Sequence, residues 1–131
     1  MKLERRFPKN WDTGMARCQG RWVMLLEHFL GGATNDAHRW RIVDAFLLPE
    51  VVGVEFEPEH PVGPYLYSSD DGCSLDGRWD STFYAVVRLS ERKRMDWRTG
   101  VVGAWGYDLK QQRIVPLSTK RVVCPKAEPE E

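Results

Sequence analysis

The hydrophobic pattern of this 131-residue chain changes period near Pro49. Before it, Met15, Cys18, Trp22, Leu25, Leu26 and Phe29 recur at steps of three and four, the spacing that lines one face of a helix. Asp12 or Thr13 can cap the start and Gly31-Gly32 can end it, so the pattern predicts an amphipathic helix over residues 13–30. Gly20 falls inside this helix at a cost of about 1 kcal/mol relative to Ala, which a close approach of another backbone would explain. Ala37, Trp40, Val43 and Leu47 repeat the spacing, with Thr34 to Asp36 as caps and Pro49 as a stop, and predict a second helix paired with the first.

After Pro49 the period becomes two. Val52, Val54 and Phe56 point one way and Val51, Gly53, Glu55 and Glu57 the other, which reads as a strand with one wet face. Residues 58–81 hold three prolines and three glycines and read as a long loop, with a short strand around Tyr65 to Tyr67. In the C-terminal third, residues 82–89, 101–109, 113–117 and 120–124 read as consecutive strands. Lys110-Gln111-Gln112 is short enough for a hairpin connection.

This order of elements predicts one α+β domain over residues 1–124. Two N-terminal helices would pack on a curved, mainly antiparallel sheet of four to six strands, with a meander in the C-terminal third. Residues 125–131 form an acidic tail expected to be disordered. In element order the predicted layout resembles the cone-shaped α+β domains of the NTF2-like class. That resemblance implies either a small enzyme with a pocket between helices and sheet or a plain binding module.

Charge sharpens the picture. Basic and acidic residues balance at 19 each and the isoelectric point is about 6.8, below the range usual for nucleic-acid-binding domains. The balance is uneven along the chain: net +3 over residues 1–49, −7 over 50–80, +7 over 81–126 and −3 over the last five. The strongest local signal is the connection before Val101, where Arg92, Lys93, Arg94 and Arg98 surround Trp97. Cations beside an aromatic suit an acidic protein surface with an aromatic anchor; a single-stranded nucleic acid is less favoured because no broad basic face supports it.

A second candidate is a pocket using Glu55, Glu57 and His60 and lined by Tyr65, Tyr67 and Trp105. Two carboxylates on one strand face could divide acid and base roles. No other residues complete a metal-ligand set at recognisable spacing, and no cofactor is implied. Asp70-Asp71-Gly72 lacks the order of a calcium loop and reads as a turn. His28 and His38 fall on polar helix faces. Nucleophile-elbow, P-loop and dinucleotide-binding motifs are absent. Trp22, Trp40 and Trp105 read as core, and Trp11, Trp79 and Trp97 as turn or surface residues.

Cys18, Cys73 and Cys124 are odd in number and widely spaced, which predicts reduced thiols in a cytoplasmic protein. No run approaches the length that spans a bilayer as a helix, so no membrane partner is expected. The leading expectation is a small non-catalytic protein-interaction domain of adaptor or inhibitor type. It would use Arg92, Lys93, Arg94, Trp97 and Arg98, with the Glu55/Glu57/His60 enzyme as the alternative and nucleic-acid binding behind it.

Overall fold

Gln19 and Gly20 both adopt left-handed backbone conformations, with φ of 52° and 81°. Two consecutive positive φ values are what a two-residue type I′ hairpin needs, because its twist matches that of the flanking strands. The segment expected as one helix is therefore a hairpin in this computed structural model, which describes residues 9–30 and 40–126. Strand β1 (Trp11–Cys18) pairs antiparallel with β2 (Arg21–Phe29), in register from Trp11 opposite His28 to Cys18 opposite Arg21. The expected second helix fails as well: Trp40–Leu47 is strand β3, on the other side of β2. Its expected start, with Thr34 to Asp36, Ala37 and His38, lies outside the described residues, as do Gly31-Gly32.

Among the described residues there is no α-helix, only the 3-10 turns Ser69–Asp71 and Thr119–Arg121. The α+β assignment, and with it the NTF2-like layout, is thereby overturned. The physical reason lies in β2. Trp22, Met24 and Leu26 face inward while Val23 and Leu25 face outward, so both faces are apolar and the alternation that marks a strand is erased. A helical subset can be picked from such a run at will.

The remaining strands are β4 (Tyr65–Ser68), β5 (Ser74–Leu75), β6 (Phe83–Val87), β7 (Arg94–Met95), β8 (Val101–Asp108), β9 (Arg113–Pro116) and β10 (Val122–Pro125). The strand expected over residues 51–57 is reduced to a single bridge between Gly53 and Tyr65. The predicted meander is also split between sheets. A four-stranded sheet runs β4-β6-β8-β9, while β10 leaves it to pair with β5 and β7 in a third, small sheet.

The four-stranded sheet is buried on both faces, and its residues alternate between two cores. Leu66, Val86, Tyr107 and Ile114 meet Met24, Leu26 and Leu48 of the first sheet and its exit. Tyr65, Tyr67, Phe83, Ala85 and Val87 meet Leu75, Met95, Val122 and Cys124 of the third sheet. A polar contact ties these two layers as well: Asp44 Oδ2 accepts the Ile114 backbone N–H at 2.7 Å, giving edge strand β9 a partner. Within the first sheet the Arg21 guanidinium donates to the Leu48 carbonyl at 2.6 Å.

Cys73 and Cys124 are fully buried in the second core and joined as a disulfide across a sequence separation of 51. The expectation of three reduced thiols is corrected: Cys18 alone is free, and it is exposed. Pro125, placed in the acidic tail by the sequence, ends β10, and the Lys126 backbone N–H donates to the Lys93 carbonyl at 2.7 Å. Residues 127–131 lie outside the described residues.

Candidate functional site

The basic connection is not a free hairpin tip. Arg94 and Met95 form β7, paired with Pro125 and Cys124, and Met95 is fully buried. The next four residues are locked by short bonds. The Asp96 carbonyl accepts the N–H groups of Thr99, Gly100 and Val101 at 2.9–3.1 Å. Asp96 Oδ1 accepts the Arg98 N–H at 2.8 Å, and the Asp96 N–H donates to Thr99 Oγ1 at 2.8 Å. The Arg98 backbone N–H, helped by Thr99, holds the Asp96 carboxyl below the usual carboxylate range. The turn is thus built for an ionised Asp96.

On this turn Trp97 is left 42 % exposed. The Arg98 guanidinium lies 4.7 Å from its ring centroid and the Lys120 ammonium 5.1 Å, so the ring is flanked by cations. Arg92, Lys93, Arg94 and Arg98 are exposed and have no ion-pair partner among the described residues. The acidic segment meets the basic one at one ion pair, Arg121 Nη2 to Asp76 Oδ2 at 2.7 Å. That bond holds the exposed Asp76 carboxyl below its ordinary range.

Two residues of this face escaped sequence reasoning. Lys120 reaches Trp97 because the turn Thr119–Arg121, capped by Ser118, precedes β10. Trp79, 52 % exposed, donates its indole N–H to the Gly72 carbonyl and lines a small hollow with Arg94 and Pro125. Trp79 was recognisable as a polar-context tryptophan; its placement beside Arg94 comes from the β5-β10-β7 pairing, which has no local sequence signal.

The residues of the alternative pocket do not converge. Glu57 and His60 line an open cleft of about 550 Å³ with Arg17, Glu50 and Val52. Glu55 lines a different cleft of about 420 Å³, with Met15, Trp22, Val54, Leu66, Tyr67, Ser68, Asp71 and Tyr84. Tyr65 is buried, and its hydroxyl pins the 57–60 loop: it accepts the Glu57 N–H at 3.0 Å and donates to the Glu57 and His60 carbonyls. Trp105 packs on Phe46 between the sheets, with ring centroids 5.6 Å apart. Among the described residues no three His, Cys, Asp or Glu side chains gather as a metal site. The Asp70-Asp71-Gly72 segment is a capped turn, in which Asp71 Oδ2 accepts the Ser68 N–H at 2.7 Å and the Ser68 hydroxyl at 3.1 Å.

Of the other aromatic and histidine residues, Trp11 stacks on His28 at 4.3 Å. Trp40, expected in the core, instead packs beside Phe29 at 5.3 Å, on the outer side of the first sheet with Val23, Leu25, Ile42 and Leu47. Ile42 and Leu47 are 54 % and 47 % exposed. No described helix is long and apolar enough to cross a membrane. No protein-family model, curated protein or solved structure matches the chain.

Proposed function

We propose that this chain is a non-catalytic binding module that engages an acidic protein surface. Its contact face comprises Arg92, Lys93, Arg94, Trp97 and Arg98, extended by Lys120. The observation that carries this reading is Trp97, half-exposed on a turn with little freedom to move. An aromatic ring that is rigid before binding loses little conformational entropy on contact, and the exposed arginines and lysine beside it steer an acidic partner and set its orientation. The Cys73–Cys124 bridge supports an oxidising compartment as the site of action, in place of the cytoplasm.

The test is affinity capture on the immobilised full chain from its native cells, repeated with Arg92, Lys93 and Arg94 changed to Ser and Trp97 to Ala. Capture should be lost in that variant and displaced by polyglutamate, while Ile42→Lys, on the far sheet, should capture normally. Equal capture by the fourfold variant sinks the reading. Displacement by a single-stranded oligonucleotide with a steep dependence on salt, and no displacement by polyglutamate, assigns the face to nucleic acid instead.

A further inference from the structure

The cleft between the inner face of the first sheet and strands β4 and β6 shares no residue with the basic face, and its chemistry is opposite. Its walls are apolar and aromatic: Met15 and Trp22 from the hairpin, Leu66 from β4 and Tyr84 from β6. Its polar groups are the carboxylates of Glu55 and Asp71, and no Lys, Arg or His lines it. A volume of about 420 Å³ lies within the range of small-molecule sites.

We propose that this cleft binds a small organic cation, an amine or quaternary ammonium carried on an apolar or aromatic body. Aromatic faces attract a cation through their quadrupole, and more strongly when both are withdrawn from water. The Trp22 ring already acts this way within the chain, holding the Arg17 guanidinium 4.8 Å from its centroid. Arg17 itself lines the neighbouring cleft and not this one. The carboxylates supply the counter-charge. Asp71 Oδ2 is occupied by Ser68, which leaves Oδ1 for a ligand, and Glu55 is exposed and unpaired among the described residues. The negative field is felt inside the cleft: burial foremost, then Asp70 and Asp71, raises the Tyr84 phenol above its ordinary pKa. Burial disfavours a charge of either sign, so it is the Asp70 and Asp71 contributions to that rise that favour a cation over an anion. An anionic ligand would meet the same field as a penalty.

The test uses the full chain and three probes of similar size: benzyltrimethylammonium, benzyl alcohol and phenylacetate. Binding is followed by NMR at the Met15 methyl and at the Trp22 indole N–H, whose nitrogen is buried with no hydrogen-bond partner among the described residues. The cation should give saturable shifts at both and bind about tenfold more tightly than the neutral probe, with phenylacetate weakest. Glu55→Lys changes an exposed side chain, so the melting temperature should hold while the cation weakens about tenfold and phenylacetate gains. Equal affinities for the three probes overturn the proposal, as do shifts confined to Trp79 and Trp97, or a Glu55→Lys variant that melts and binds as the parent does.

Discussion

Replacing Cys73 and Cys124 together by Ala should cost this protein about 4 kcal/mol. The bridge spans a sequence separation of 51, and the loop-closure entropy it removes from the unfolded chain grows with the logarithm of that length, giving about 4 kcal/mol at 25 °C for a loop of this size. At roughly 4 °C per kcal/mol for a domain of this length, the melting temperature should fall by about 15 °C. Alanine is the replacement of choice because both positions are fully buried and an unpaired hydroxyl would add its own desolvation cost.

Calorimetry of the double variant against the parent measures the effect. Hydrogen exchange locates it: if the bridge acts on the unfolded chain, the slowest amides of all three sheets should lose protection together. Loss confined to Met95 and Val122 would mean instead that the bridge mainly holds the small β5-β10-β7 sheet in place. A fall below about 4 °C would refute the entropic argument, being only about 1 kcal/mol at this size. Alkylation of Cys73 and Cys124 in denatured, unreduced protein would refute the bridge itself.

Gly20→Ala separates a hairpin from a helix by sign. In a helix it should stabilise by about 1 kcal/mol; at φ of +81°, with open space around the added methyl, it should destabilise by about 1–2 kcal/mol, read as a lower melting temperature. Gly100→Ala would place a methyl 2.6 Å from the Arg88 carbonyl and 3.0 Å from Met95 Sδ; a loss of about 1–3 kcal/mol is expected, with altered fluorescence of Trp97 on the adjoining turn. Asp96 and Asp76 have lowered pKa values when folded, so what they contribute is present above their unfolded pKa and is lost as pH falls through the folded one. Carboxyl NMR titrations of both should have midpoints below the ordinary Asp value of about 3.9, and Asp96→Asn should flatten the acid limb of the stability profile.

The strands that alternation locates well lie in the four-stranded sheet and the short segments beside it. β4, β6, β8, β9 and β10 each begin and end within about two residues of where turn signals and period-two runs put them. The short connection Lys110-Gln111-Gln112 does join β8 to β9. The first sheet was hidden because Val23 and Leu25 make its outer face as apolar as its inner one, and the Gln-Gly turn between its strands is a weaker hairpin signal than Asn-Gly. The basic residues of the candidate face were visible as a run around Trp97, whereas Lys120 and Trp79 were invisible as its members. They arrive through pairings between segments some twenty to fifty residues apart.

By itself, then, the sequence determined what is local: the hairpin turn at Lys110-Gln111-Gln112, the alternating strands of the C-terminal half and the cations packed around Trp97. Tertiary structure decided what depends on partners. It turned an ambiguous apolar run into β2 by covering one face with the four-stranded sheet, and it joined Cys73 to Cys124. It also sent Glu55 to one cleft and Glu57 with His60 to another. A residue's period and charge are written in its neighbours, but the surface that covers it and the charge it faces are contributed by chain far away.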